Sequence, residues 1–170
     1  CQMPLQIDLT SHKIVLTGAA GGVGAAVASL LVQAGASVLL TDRPGSGVTH
    51  LARGLAADGP CPGVDLDLAS PEIGTHLVDA ALDVMGGLNG VVNAGAVLRR
   101  TAFLDVTSDQ LDESLNVNIR SMFLICQAAA RPMMAAGRGS FVNFASLSAF
   151  TGGKVGAVHY ATAKAGVIAL

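Results

Sequence analysis

The sequence predicts an α/β fold: a doubly wound parallel sheet of the Rossmann type, covered by helices on both faces in three layers. Short apolar runs alternate along the chain with segments of helical length. The runs are apolar at consecutive positions rather than at every second one, as strands covered on both faces must be. A glycine-rich turn joins the first run to the first helical segment, where such sheets bind ligands.

The elements follow in order. "KIVLTG" (Lys13–Gly18) is the first strand, ending in glycine. "GAAVASLLVQAG" has helical length, with Gly35 as its C-terminal stop. "SVLLTD" (Ser37–Asp42) is the second strand, and residues 44–58 are a loop with a short helix. "GVDLDL" (Gly63–Leu68) is the third strand. Ser70 caps a helix that starts with Pro71 and Glu72 and runs to about Met85. "LNGVVNAG" is the fourth strand. Thr107 and Gln110 form a capping box for a long helix. That helix has an apolar stripe at Leu111, Leu115, Ile119, Met122, Cys126 and Ala129, and Asn118 borders it. "GSFVNFAS" (Gly139–Ser146) is the fifth strand, and the last helix carries "HYATAKAG" (His159–Gly166). The chain opens on Cys1 rather than Met and stops at "GVIAL" without a helix stop signal. Residues 1–170 are therefore expected to form one nucleotide-binding domain of a longer protein, with C-terminal strands missing.

Composition narrows the function classes. The chain is 51% hydrophobic and 13% charged, which suits a packed domain and not a disordered one. A net charge of −2, with Arg99-Arg100 as the single basic doublet, argues against nucleic acid. The three cysteines (Cys1, Cys61, Cys126) include no CxxC, and the four histidines lack ligand spacing. Neither a disulfide framework nor a metal site is expected, and the reducing cytoplasm is the expected compartment. The uncharged stretch between Lys13 and Asp42 is long enough to imitate a membrane span. It contains five glycines, however, and divides into strand, helix and strand. No membrane segment or signal peptide is expected.

"TGAAGGVG" (Thr17–Gly24) is the turn that a bound pyrophosphate needs. Gly18 allows the tight turn, Gly22 allows close approach of the phosphates, and Gly24 allows the helix to pack on the sheet. The N–H groups of the first helical turn, at Val23 among others, face the anion. Asp42 ends the second strand, where a carboxylate meets the adenosine ribose hydroxyls. It repels a 2′-phosphate, which favours NAD over NADP; the neighbouring Arg43 partly offsets that repulsion. Tyr160, the only tyrosine, and Lys164 stand at i and i+4, on one helix face. A lysine cation beside a phenol favours the phenolate, so such a tyrosine can exchange a proton with an alcohol or carbonyl oxygen near neutral pH. The bland alternative is a half-buried tyrosine with a snorkelling lysine.

The glycine spacing TGxxxGxG, with "VNAG" (Val92–Gly95), "VNI" (Val117–Ile119), "VNFAS" and Tyr160-x-x-x-Lys164, resembles the classical short-chain dehydrogenase/reductase family from about Leu9 to Leu170. The resemblance implies hydride transfer between NAD(H) and a secondary alcohol or ketone. It makes Tyr160 the acid–base and has Lys164 also bind the nicotinamide ribose. Ser146 would hold the substrate oxygen, one residue farther from the tyrosine than is usual, so Ser148 competes with it. Asn118 would hold a water in a proton relay. Asn93, Ala94 and Gly95 would flank the cofactor, with Val92 standing where the family has asparagine. Asp67 would read the adenine amino group beside the Leu68 backbone, with Asp65 as the competing assignment. His159 is read as structural or substrate-facing. The family pairs its long helix and its tyrosine helix in homodimers or homotetramers. Its substrate pocket is completed after the tyrosine helix, so this piece alone is expected to turn over little. Arg99-Arg100 and the loop after Ser146 lean toward a sugar-acid substrate, with 3-oxoacyl thioesters next. Two other readings remain: a nucleotide-binding module without turnover, and an extended-type epimerase or dehydratase, because Gly18, Gly21 and Gly24 also fit TGxxGxxG.

Overall fold

The computed structural model describes residues 7–153 and 156–170. Among these, five strands form one parallel sheet: β1 (Lys13–Thr17), β2 (Ser37–Asp42), β3 (Gly63–Asp65), β4 (Gly90–Asn93) and β5 (Ser140–Asn143). Their order is β3-β2-β1-β4-β5. The helices are α1 (Gly22–Gln33), α2 (Val48–Leu55), α3 (Ile73–Met85), α4 (Ser108–Leu115), α5 (Ser121–Ala135), α6 (Ser148–Thr151) and α7 (Val158–Ala169).

The consecutive apolar residues of the strands feed two cores. Ile14, Leu16, Val38 and Leu40 point to one face and bury with Ala28 and Val32 of α1 and Val48 and Ala52 of α2. Val15 and Leu39 point to the other, against Ile73 and Leu77 of α3 and Ile125 and Ala129 of α5. Adjacent strand residues alternate between faces, so a strand apolar at every position requires cover on both. The chain winds one way from β1 to β3 and the other way through β4 and β5. The reversal leaves a crevice between the carboxyl ends of β1 and β4.

Several boundaries differ from the sequence reading. α1 starts at Gly22, because the Gly21 N–H closes the preceding turn on the Gly18 carbonyl and releases the next residues into helix. β3 stops at Asp65 rather than Leu68. Asp67 accepts from the Ala69 N–H, and its carbonyl accepts from Ser70, so a local turn replaces the strand there. Ser70 does accept from the Glu72 N–H, but regular helix begins only at Ile73. The capping box of Thr107 and Gln110 is present at α4.

The long helix is interrupted. Residues Asn116–Arg120 form a π turn, and the Ser121 N–H reaches back five residues to the Asn116 carbonyl. The extra residue shifts the phase, so Ser114 faces inward before the π turn, Asn118 within it, and Met122, Ile125, Ala129 and Met133 after it. The expected stripe holds at Met122 and Ala129, while Leu111 is exposed. β5 ends at Asn143, and its Phe141 and Val142 are exposed, unlike the side chains of the central strands.

Candidate active site

The crevice is built from two glycine turns that lean on each other. Gly18 has φ +67°, and a Cβ there would stand 2.4 Å from the Gly95 Cα. A Cβ on Gly24 would stand 2.1 Å from the Gly18 carbonyl oxygen. Both positions therefore exclude side chains by contact with backbone. Gly22 is different: a Cβ would have no neighbour within 4 Å. It lies open at the start of α1, where no side chain caps the helix and Gly22 and Val23 are exposed. The dipole and free N–H groups of α1 thus face an open, anion-accepting surface.

Asp42 fastens the turn. One carboxylate oxygen accepts from the Ala20 N–H at 2.9 Å and the other from the Arg43 N–H at 2.8 Å. Arg43 itself is exposed. The Leu68 side chain lies over the second turn, since a Cβ on Gly95 would stand 2.4 Å from its Cδ1. Leu68 therefore reaches the crevice, while Asp67 is an exposed turn residue and Asp65 ends the strand.

The Asn93 side chain turns away from the crevice. It is 2% exposed and donates to Asn143 Oδ1 at 3.0 Å, so the half-buried Ala94 is the part of "NAG" nearest the surface, while Gly95 is buried against Gly18. Asn118 is fully buried in the π turn, with its amide paired to Val97 at both ends. Its Oδ1 accepts from the Val97 N–H and its Nδ2 donates to the Val97 carbonyl, each at 2.9 Å. It also donates to Ser114 Oγ. The side chain thereby ties the segment after β4 to the helix as a backbone strand would. Further along, Arg99 makes a two-pronged bond to Glu113, with Nη2 to Oε1 at 2.7 Å. That contact holds the Glu113 carboxyl below the usual range. Thr101 N–H then donates to the Gly156 carbonyl beside α7.

Ser146 lies three residues beyond β5. Its Oγ accepts from the Ser148 N–H at 3.1 Å, while Ser148 opens α6. A hydroxyl that accepts there still has its own proton to donate. On α7, Lys164 is 1% exposed, although lysine is rarely buried without a charged partner. Its Nζ donates to the Phe144 carbonyl just past β5 and lies 5.9 Å from the centre of the half-buried Tyr160 ring. Among the described residues no carboxylate pairs with it.

Burial pushes the Lys164 pKa down. The unfolded chain then binds this proton over a pH range in which the native state does not, so stability rises with pH in that window. Below the depressed native value the penalty is present in full. Lys164→Met should therefore raise Tm at neutral pH by roughly 2–4 °C. The gain should shrink as pH climbs toward the ordinary lysine value of about 10.4. Thermal melts across pH test this; a less stable variant at neutral pH would refute it.

Sequence reasoning missed two features. The Thr17 hydroxyl accepts from the Gly95 N–H at 3.3 Å, and its position at the end of β1 was the available signal. The Arg99–Glu113 pair spans fourteen positions and left no local trace. His159, read from the sequence as structural or substrate-facing, is buried, and neither ring nitrogen has a hydrogen-bond partner among the described residues.

Residues 18–170 match the family described as "Enoyl-(Acyl carrier protein) reductase". The chain is 36% identical over 165 residues to the "Probable galactose dehydrogenase GalD" of Rhizobium meliloti, spanning 96% of this chain and 64% of that protein. It is 31% identical over 166 residues to the 3-oxoacyl-[acyl-carrier-protein] reductase FabG of Aquifex aeolicus, spanning 96% and 66%. A solved short-chain dehydrogenase from Burkholderia cenocepacia, in complex with NADP, superposes with a TM-score of 0.86 at 29% identity, covering 96% of this chain and 66% of that one. The chain thus spans 64–66% of the length of these relatives.

Proposed function

The chain belongs to the short-chain dehydrogenase/reductase family, and from that premise we propose that it carries the cofactor half-site and acid–base residues of an oxidoreductase working on a secondary alcohol or ketone. The observation that carries the reading is Lys164, a buried lysine without a carboxylate partner among the described residues, one helical turn from the only tyrosine. A stability cost of this kind is what functional sites retain.

The crevice suits a dinucleotide. Gly22 leaves room where a pyrophosphate would approach, and α1 offers uncapped N–H groups to it. Asp42, fastened to the turn, would receive the ribose hydroxyls and disfavour a 2′-phosphate. The bound nicotinamide supplies the hydride chemistry. The protein's part is orientation and proton management. Tyr160 would exchange a proton with the substrate oxygen at its phenolic oxygen. Ser146 would donate a hydrogen bond to that oxygen as charge develops. Lys164 would hold positive charge beside the phenol. Asn118, with its side chain committed to Val97, would keep the segment beside the nicotinamide in place.

The relatives' names support a sugar-type hydroxyl first and a 3-oxoacyl group second. The sugar-acid clue from Arg99 weakens, because its guanidinium is held by Glu113. The reading includes pairing as a homodimer or homotetramer and residence in the cytoplasm. Cys61 and Cys126 are free thiols, and among the described residues no helix is long and apolar enough to cross a membrane.

Titration with NADH and then NADPH, followed by nicotinamide fluorescence, tests the reading. NADH should bind more tightly, and Asp42→Ala should narrow the preference to below threefold by weakening NADH and sparing NADPH. A folded protein that binds neither cofactor would sink the proposal. Tighter binding of NADPH would instead overturn the role given to Asp42.

A further inference from the structure

Two asparagines face each other at the carboxyl ends of β4 and β5. Asn93 and Asn143 are register partners in the parallel ladder. Asparagine is a poor strand former, and a buried amide is costly unless it is paired. Here the pairing is direct: Asn93 Nδ2 donates to Asn143 Oδ1 at 3.0 Å. Cys126 of α5 joins them, its Sγ 3.8 Å from Asn143 Oδ1 and 3.5 Å from Asn93 Nδ2. Burial pushes the Cys126 thiol pKa up, so it stays a neutral S–H donor. The next residue on β5 is Phe144. Its N–H donates to the Asn93 carbonyl at 3.1 Å, and its own carbonyl accepts from Lys164 Nζ.

The geometry points to Asn143 as a positioning residue for Lys164. Its side chain locks the end of β5 to β4 and so presents the Phe144 carbonyl to the lysine ammonium. Without the side-chain bridge, the end of β5 is held to β4 by the ladder alone. The Lys164 ammonium then loses its fixed acceptor. The role in cofactor binding rests on the reading proposed above; the role in holding Lys164 does not.

The experiment separates positioning from stability. Asn143→Val strands the buried Asn93 amide and should lower Tm. Asn93→Val with Asn143→Val removes both amides and leaves two good strand formers, which should recover most of that loss. Positioning predicts that the double variant still loses the Lys164 ammonium signal in ¹⁵N NMR and binds NADH roughly tenfold more weakly. A double variant with recovered Tm, a native Lys164 signal and native affinity overturns the inference. Should neither variant fold, Lys164→Met provides the converse measurement. Coupling predicts that the Asn93 and Asn143 side-chain amide resonances shift in it, and unshifted amides overturn the inference. If the folded wild type binds no NADH, the proposed function fails, while the Lys164 resonance still decides this inference.

Discussion

Gly24→Val should destabilise the protein by about 3 kcal/mol or more, a fall in Tm of roughly 6–12 °C. The new Cβ would stand 2.1 Å from the Gly18 carbonyl oxygen and 2.8 Å from the Ala19 Cα. Both are backbone atoms of a turn that is fixed elsewhere. Ala19 N–H donates to the Thr41 carbonyl, and Ala20 N–H to the Asp42 carboxylate. The turn cannot yield without releasing those bonds, so α1 must lift from the sheet. Gly22→Ala, two residues earlier, should behave in the opposite way. No atom lies within 4 Å of its Cβ, and alanine is the better helix former. Its Tm should hold or rise slightly, while NADH affinity falls because the methyl fills the space left for the phosphates. Melts and titrations of the two variants test this division between a packing glycine and a ligand glycine. Equal loss of stability in both would refute it.

In the full-length protein, Tyr160→Phe should reduce turnover of an alcohol or ketone substrate by roughly 10²–10⁴-fold, the usual worth of one positioned acid–base group. It removes only the phenolic oxygen. The ring still packs on α7, and the Lys164 contact to Phe144 does not involve it. NADH affinity and Tm should therefore stay near wild type. Turnover followed by NADH absorbance, with binding and melting on the same samples, checks all three. Undiminished turnover would remove Tyr160 from the mechanism. A collapse in Tm would assign it to the core.

Much of the fold was legible in the sequence because its signals are local. The apolar runs of β1, β2 and β4 and the capping box of Thr107 with Gln110 each declare themselves within a few residues. The glycine turn was equally plain, since a tight strand-to-helix turn allows few other residues. Boundaries were less legible where a side chain competes with the ladder. The Asp67 carboxylate accepts from the Ala69 N–H and ends the third strand early. The π turn left no periodic signal that the sequence could show. One extra residue in a helix appears only as a phase shift, and the buried face moved to Ser114 and Asn118.

The chain's residues, read alone, determined the parallel sheet, the glycine turn with Asp42 at the next strand end, and Tyr160 and Lys164 on one helix face. Spacing along a strand or a helix sets these directions. Tertiary structure alone decided which of those groups are engaged and by what. It gave Asn118 to Val97, Arg99 to Glu113, and the Asn93 amide to Asn143, and it buried Lys164 against the Phe144 carbonyl. The physical reason is range. Backbone geometry fixes where a side chain points, but a buried polar group must find its partner wherever the packed elements bring one.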